Sequence, residues 1–201
     1  MFTQKTTIYV YQKNNKTVKL LGLSHLGTIE YYNKCQRELT GCLLTEGTGK
    51  ECKMDMLTKS YNVFAESLGL ITQKLNYNYN PSINADIPYQ YFTDYITNTV
   101  EYFDKLSDQT LSDMSRFIKK NPKMIKFILY ILSLNPFKSK DYFILVKMRN
   151  YQVMLTLLRV LKDFDYVTIC FGDRHMKDLA KQLEKLGFNK IKSTHLYPFY
   201  E

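Results

Sequence analysis

The sequence lacks the features that mark secreted, membrane-spanning and disulfide-stabilised proteins. None of its four cysteines forms a CxxC pair, and Cys170 lies within an apolar run, where a free thiol acts as a small hydrophobic group. The longest apolar run, Phe127–Leu132, is far shorter than the roughly 20 residues that span a bilayer, even when Met124 and Ile125 are added. Residues 1–15 contain no sustained apolar stretch of the kind that a signal peptide needs. We therefore expect a soluble chain without a membrane span, in a reducing, cytoplasmic setting.

Signatures of nucleic-acid binding, phosphate-binding loops and serine hydrolases are also missing. The chain has 28 Lys and Arg against 19 Asp and Glu, a net charge of +9, but its lysines are scattered over the whole length. A compositional bias explains this excess equally well, so we expect no nucleic-acid partner. The segment Gly47–Lys50 is not a P-loop, because Leu44 stands where the first glycine belongs and Glu51 replaces the Ser or Thr. Ser24 lies outside any GxSxG turn.

The strongest pattern in the chain is a strand followed by Gly-x-x-His, which occurs twice, about 150 residues apart. Val18–Leu21 leads into the turn Gly22–His25, and Val167–Phe171 leads into the turn Gly172–His175. The second turn is followed, over residues 176–186, by apolar residues with the spacing of one helix face. Ligands of open α/β sheets bind at the carboxyl ends of strands, so we expect the two histidines to lie at one sheet edge.

The fold class that this pattern predicts is α/β, with a central mixed sheet built from two related halves. The predicted strands are Ile8–Gln12, Val18–Leu23, Cys42–Leu44, Val167–Phe171 and Lys190–Tyr197. The first two are expected to form a hairpin. The sequence shows no linker, so residues 1–201 are expected to form one domain, and residues from about 56 to 135 are predicted as a helical insertion between the halves.

A helix predicted over Asp141–Leu161 is apolar around most of its circumference but carries one polar stripe. The stripe consists of Arg149, Gln152, Thr156 and Arg159. An arginine in such a helix needs an acceptor, because an unpaired buried charge strongly destabilises a fold. Carboxylates at the sheet edge are the expected partners of Arg149.

Three residues that follow apolar runs, His25, Glu46 and His175, are the candidate metal ligands. Two histidines and one carboxylate are a common ligand set for a divalent ion that keeps positions open for water and substrate. The expected cofactor is therefore a divalent metal ion such as Mn, Co or Zn. Taken singly, each histidine is as well explained as a turn residue, and Glu46 as a surface carboxylate. Their repeated position after a strand favours the functional interpretation.

Several short segments also match the motifs of a known family in order and spacing. They are Leu20–His25, Leu43–Gly47, Ala85–Ile87, Met148–Asn150 with Met154, Phe171–His175 and Leu186–Phe188. This order resembles the TraB/TIKI family, which is related to ChaN-like and erythromycin-esterase-like folds. The family's pattern is two GxxH motifs with a Glu and an Arg between them, and the resemblance covers nearly the whole chain. One departure is that Asp173 and Arg174 replace the small residues usual in the second GxxH.

The resemblance implies an α/β fold that brings the two GxxH motifs together, and a metal-dependent peptidase activity. On this basis Glu46, Arg149 and Asp86 are expected to take part in catalysis. Arg149 would stabilise an oxyanion or clamp a substrate carboxylate, and Asp86 would orient a ligand. Asn150 and Arg174 are expected to contact the substrate, which is a peptide or a protein.

Two functions from different classes remain open at the level of the sequence. In the first, the chain is a metal-dependent hydrolase, and Glu46 is either a metal ligand or the general base. In the second, the chain is a non-enzymatic binder that sequesters a peptide or a small anionic ligand in the same cleft. The histidines would then be neutral hydrogen-bonding groups. Stabilisation by metal and metal-supported turnover distinguish the two functions.

Overall fold

The computed structural model, which describes residues 4–47, 55–87, 107–125 and 143–199, shows an α/β fold on one mixed sheet. The strands of this sheet are β1 (Thr6–Lys13), β2 (Lys16–Leu23), β4 (Cys42–Thr45), β6 (Ser82–Asn84), β7 (Tyr166–Gly172) and β8 (Asn189–Leu196). Their order across the sheet is β6-β4-β7-β2-β1-β8. Two shorter strands, β3 (Leu26–Gly27) and β5 (Ile71–Thr72), pair with each other. The predicted α/β class with a mixed sheet is confirmed.

Helices cover both faces of the sheet. The described helices are α1 (Ile29–Arg37), α2 (Asp55–Ser67), α3 (Asp108–Lys120), α4 (Arg149–Val160) and α5 (Asp173–Lys185), and a π-helical segment, Phe143–Met148, runs directly into α4. Helices α4 and α5 share one hydrophobic core with Leu20 and Phe171. Helix α1 shares the opposite core with Leu21 and Cys170. Successive strand residues point to opposite faces, which is why neighbours in sequence belong to different cores.

The strands β2, β4, β6 and β7 run parallel, so their carboxyl ends lie at one edge of the sheet. Ile169 of β7 is in register with Leu20 of β2 on one side and with Leu44 of β4 on the other. All three side chains are fully buried, as expected for strands covered on both faces. The prediction that these three apolar runs are strands of one sheet is confirmed. This edge is where the candidate residues lie.

The antiparallel part of the sheet is formed by β1, β2 and β8. The predicted β1–β2 hairpin is confirmed and closes at the pair Lys13 and Lys16. Asn14, in the turn, has a positive φ of 52°, which asparagine tolerates better than most residues. The predicted last strand is also present as β8, which pairs with β1 at the outer edge.

The region predicted as a helical insertion contains strands as well as helices. Helices α2 and α3 lie in it, but β5 pairs with β3, and β6 joins the main sheet beside β4. Strand β6 has only three residues, all exposed, so it lacks the apolar pattern that predicts a strand. Within the described ranges, no helix combines the length and the apolar character needed to cross a membrane.

Three thiols lie deep in the protein. Cys35, Cys42 and Cys170 are free and fully buried. Burial raises the pKa of Cys35 to about 11 and the pKa of Cys170 to about 12. A thiol with a raised pKa is a poor nucleophile, so these cysteines act as small hydrophobic groups of the core.

Candidate functional site

Polar side chains from neighbouring segments meet at the carboxyl edge of the parallel strands. Glu46 directly follows β4, and Asp86 follows two residues after β6. Strand β7 continues into α5, whose first turn carries His175, and Arg149 is the first residue of α4. Because β6, β4 and β7 are adjacent in the sheet, the residues that follow them converge. Four predicted site residues, Glu46, Asp86, Arg149 and His175, are brought together here, and we call them the edge cluster.

The guanidinium of Arg149 connects the members of the edge cluster. Its Nε and Nη2 atoms donate to the two carboxylate oxygens of Asp86, at 2.8 and 2.5 Å. Nη2 also donates to Glu46 Oε1 at 2.5 Å, and Nη1 lies 3.4 Å from His175 Nε2. The prediction that carboxylates at the sheet edge satisfy Arg149 is confirmed. All three guanidinium nitrogens face partners within the chain.

Glu46 and Arg149 hold each other in their charged forms. Burial alone would raise the pKa of Glu46, but the charge of Arg149 lowers it, and so does the N–H of Gly172, which donates to Oε2 at 2.7 Å. The net result is a pKa below the usual range of a glutamate. Burial alone would lower the pKa of Arg149, but hydrogen bonds and charges from Asp86 and Glu46 raise it. Two carboxylates thus face one guanidinium in the edge cluster.

His175 is buried and neutral. Burial lowers its pKa to about 4, against the opposing effect of the Glu46 carboxylate. The imidazole packs edge-on against Phe171, with ring centroids 5.4 Å apart, and its Nδ1 lies 2.6 Å from Asn150 Oδ1. Arg149 can only donate, so the Nε2 atom that faces it acts as an acceptor. At neutral pH, His175 therefore presents a lone pair at Nε2.

Gly172 keeps a space open between Glu46 and His175. A Cβ atom at this position would lie 3.5 Å from Glu46 Oε2 and 3.8 Å from His175 Cδ2, which are ordinary contact distances. The φ of Gly172 is −49°, a value open to residues that have a side chain. Neither the backbone nor the packing requires glycine here. What the missing side chain provides is room beside the carboxylate and the imidazole.

Gly22, the corresponding glycine of the first motif, has a structural role instead. A Cβ atom there would collide with the Asp173 carboxylate and would lie only 2.9 Å from both the Thr7 carbonyl oxygen and Met176 Cγ. Asp173 Oδ1 accepts a hydrogen bond from the Thr7 N–H at 2.6 Å, so this carboxylate binds the backbone of β1. Burial raises the pKa of Asp173. The two GxxH glycines thus serve different purposes.

His25 and Arg174 lie around the edge cluster rather than in its centre. His25 follows β2 in an exposed turn, with its ring centroid 6.2 Å from that of Tyr61. After burial and the nearer charges, the charge of His25 also lowers the pKa of Glu46 and of His175. Arg174 is exposed at the start of α5. Both residues are exposed, and substrate contact by Arg174 stays a prediction.

Asn150 lies behind His175 and is fully buried. Its Nδ2 donates to Asp178 Oδ2 at 2.8 Å, so its side chain is bonded within the protein and its predicted contact with substrate remains untested. Asp178 is a residue that the sequence analysis missed, and it is also paired with Lys147 and accepts a hydrogen bond from Gln182 at 2.8 Å. A signal for it exists, because an acid three residues after His175 falls among the apolar positions of α5 that are buried.

A divalent metal ion does not fit the described residues as they are arranged. Within the described ranges, no group of three His, Cys, Asp or Glu side chains is placed to hold such an ion. Glu46 Oε1 and His175 Nε2 both face the Arg149 guanidinium, so a cation already stands where the metal would bind. His25, the third predicted ligand, is exposed. Metal binding stays a prediction that the resemblance implies.

No family model matches this chain, and neither a curated protein nor a solved structure matches it. The resemblance to the TraB/TIKI family therefore stays a prediction that rests on the order of the motifs. The chemistry of the site follows from its geometry instead. An ionised carboxylate, a neutral imidazole and a guanidinium around a small open space are groups that serve general base and electrostatic catalysis.

Proposed function

We propose that the chain is a hydrolase that cleaves a peptide or a related acyl bond beside Gly172. The observation that carries the proposal is the space between the ionised Glu46 carboxylate and the neutral His175 imidazole. A water molecule bound in this space would lie beside the ionised Glu46 carboxylate and against the Cδ2 edge of the imidazole, next to the basic Nε2 atom. A base and a fixed charge close to the attacking water are what hydrolysis by general base catalysis needs.

His175 is the general base in this proposal. As Arg149 Nη1 turns from Nε2 towards the acyl oxygen, Nε2 takes a proton from water, the resulting hydroxide adds to the acyl carbon, and the imidazolium returns the proton to the leaving group. Burial lowers the pKa of His175, but Glu46 acts in the opposite direction and so stabilises the imidazolium as it forms. Arg149 Nη1, 3.4 Å from Nε2, places positive charge beside the developing oxyanion.

The charge of the edge cluster bears on the substrate. Asp86 and Glu46 already occupy Nε and Nη2 of Arg149 and leave only Nη1 for a substrate oxygen. A two-point grip on a substrate carboxylate is then not possible, so the proposal does not include the carboxylate clamp that the sequence left open for Arg149. A peptide with an uncharged residue or an amino group next to the scissile bond fits this environment better.

A metal-dependent hydrolase is the form of the activity that the resemblance implies. For Glu46, His175 and His25 to bind an ion, the Arg149 guanidinium has to leave Glu46 Oε1 and break a largely buried ion pair. Breaking such a pair is strongly unfavourable unless the incoming ion replaces its energy. The proposed mechanism therefore uses no metal, and the experiment includes both forms.

A peptide-library cleavage screen tests the proposal, with one arm in EDTA and others with Mn²⁺, Co²⁺ or Zn²⁺. Cleavage in EDTA that is lost in His175→Gln and retained in His195→Gln supports the general base mechanism. His195 is a suitable control because β8, which carries it, is separated from β7 by β1 and β2. Cleavage only with an added ion would favour the metal-dependent form. If no peptide is cleaved in any arm, the hydrolase proposal is wrong.

One observation favours the binder as the second candidate. Among the described residues, every buried side-chain nitrogen and oxygen has a hydrogen-bond partner, so the network is complete without a ligand. Groups that are already held in place lose little conformational freedom when a ligand binds, which favours binding. Calorimetric titration of library peptides distinguishes it, because a binder shows saturable heat without cleavage products.

A further inference from the structure

A chain of hydrogen bonds leads from His175 back to the protein surface. His175 Nδ1 lies 2.6 Å from Asn150 Oδ1, and Asn150 Nδ2 donates to Asp178 Oδ2 at 2.8 Å. Asp178 is in turn paired with Lys147, whose side chain is about half exposed, at 45%. None of these contacts reaches the space beside Gly172. The chain therefore acts on His175 from behind.

The order of donors in this chain determines which imidazole nitrogen carries the proton. An ionised carboxylate can only accept, so Asp178 requires the Nδ2 end of the Asn150 amide to point towards it. The amide oxygen is then the end that faces His175. An oxygen can only accept, so Nδ1 of His175 has to be protonated and Nε2 is left with the lone pair.

We infer that Asp178 is a positioning residue that, through Asn150, fixes His175 in the tautomer with its proton on Nδ1. The inference rests on the proposed function for its catalytic meaning, since Nε2 is the atom proposed to receive the proton of water. The hydrogen-bond geometry holds without that proposal. Asp178 contacts no reacting atom and acts only through the amide.

The surroundings of Asp178 support its role as a permanent acceptor. Burial alone would raise its pKa, but hydrogen bonds from Asn150, Lys147 and Gln182 lower it, so the carboxylate stays ionised. At the other end of the imidazole, Arg149 Nη1 lies 3.4 Å from Nε2 and can only donate, so it favours the same tautomer in the wild-type protein.

The experiment is ¹⁵N–¹H NMR of the histidine rings at pH 7.5, where long-range couplings report which nitrogen is protonated. The chain has three histidines, so His25→Gln and His195→Gln assign the signals. Wild-type His175 is expected in the Nδ1–H form. In Asp178→Asn the new amide can either accept from Asn150 Nδ2 or donate to Asn150 Oδ1, so it no longer fixes the direction of the Asn150 amide. The Nε2–H form is then expected to appear.

Two results would overturn the inference: a wild-type His175 in the Nε2–H form, or an Asp178→Asn variant that shows the Nδ1–H form alone. Gln182→Leu is the matched variant, because it removes a neighbour of Asp178 but leaves the carboxylate in place, and it must keep the Nδ1–H form. If Asp178→Asn does not fold, Asn150→Ala takes its place with the same expected change, because it removes the link between Asp178 and the imidazole.

Turnover provides the second readout and separates this inference from the proposed function. To the extent that the wrong tautomer is populated, kcat in Asp178→Asn is expected to fall, by up to about 10⁴-fold, as for the serine-protease histidine held in the wrong tautomer. A loss of turnover with an unchanged tautomer overturns the positioning role and leaves the hydrolase proposal standing. If Asp178→Asn changes the tautomer of His175 but the wild-type protein cleaves no peptide, the positioning role stands and the hydrolase proposal is wrong.

Discussion

Arg149 and Asp86 form a two-point ion pair in which Nε and Nη2 of the guanidinium face the two carboxylate oxygens at 2.8 and 2.5 Å. The Asp86 side chain is fully buried, and that of Arg149 is 10% exposed. The pair joins the start of α4 to the end of β6, and Arg149 Nη2 also holds Glu46. A change at Arg149 therefore acts on the stability of the fold and on the site together.

Replacement of Arg149 tests this double role. Arg149→Met leaves the buried Asp86 carboxylate without its partner and is expected to destabilise the protein by about 3–5 kcal/mol. Arg149→Lys keeps the charge but lacks the planar fork, so it is expected to recover part of the stability and none of the activity. Urea unfolding followed by circular dichroism, together with the cleavage assay, measures both effects.

Arg159→Met is the control for these variants. Arg159 lies on the same helix but is exposed, and its Nη2 donates to Thr156 Oγ1 at 3.3 Å. Its replacement is expected to change the free energy of unfolding by no more than about 0.5 kcal/mol. Full activity in Arg149→Lys would contradict the need for two-point pairing.

The two GxxH glycines are expected to respond differently to a methyl group. Gly172→Ala meets only ordinary contacts, so its free energy of unfolding is expected within about 1 kcal/mol of wild type. Its methyl group fills the space beside Glu46 and His175, and turnover or ligand binding is expected to fall at least about tenfold. If Gly172→Ala turns over substrate as fast as the wild-type protein, the space beside Gly172 has no role in the mechanism.

Gly22→Ala is the matched comparison. Its methyl group would meet backbone as well as the Asp173 carboxylate, and overpacking of this kind destabilises by about 1–3 kcal/mol. Thermal unfolding of both alanine variants is the measurement. If the two variants are equally stable, the Asp173 side chain and the β1 backbone can shift to accommodate the methyl group without a measurable loss of stability.

The free energy of unfolding is expected to fall as the pH is lowered, because His175 is buried in its neutral form. Its pKa is 6.5 in the unfolded chain and about 4 in the folded protein. Between these values the unfolded state binds more protons, so stability is complete above pH 6.5 and falls as the pH drops towards 4. The total loss is about 3 kcal/mol. Urea unfolding at several pH values is expected to show this slope in wild type and a reduced slope in His175→Gln, so equal slopes would contradict the neutral, buried imidazole.

Asp173→Ala is expected to change stability and leave the chemistry intact. The sequence alone places the Asp173 charge in the second GxxH turn, but its carboxylate accepts from the buried Thr7 N–H. Loss of that acceptor is expected to destabilise the protein by about 1–3 kcal/mol. Substrate preference in the cleavage screen is the second measurement, and a changed preference would place Asp173 in the site after all.

Much of the framework of the site was predictable because strands and turns are local patterns. The runs before Gly22, Glu46 and Gly172 are short and largely apolar, as expected of buried strands, and all three strands are parallel neighbours. The polar positions on the apolar α4 pattern also identified Arg149 as a residue in need of a carboxylate. Periodicity and the destabilising effect of an unpaired buried charge were enough for both conclusions.

The remaining parts depend on contacts between distant segments. Nothing in the local sequence shows that Asp173 bonds to β1, that Asp178 holds the Asn150 amide, or that Arg149 occupies the position expected for a metal. Strand β6 escaped prediction because three exposed residues carry no pattern, although it positions Asp86. Side-chain direction on helices and the identity of hydrogen-bond partners are decided only when the layers pack.

The reactivity of the buried thiols of Cys35, Cys42 and Cys170 can report opening motions of the core. They belong to α1, β4 and β7, which are elements of the core on both sides of the sheet. A thiol reagent can reach them only when these elements separate, so in a Cys52→Ser background the labelling rate measures how often the core opens. Peptides or ions that bind the closed state must slow this labelling, whether or not they are cleaved. A ligand for the edge cluster can therefore be sought by its effect on cysteine reactivity.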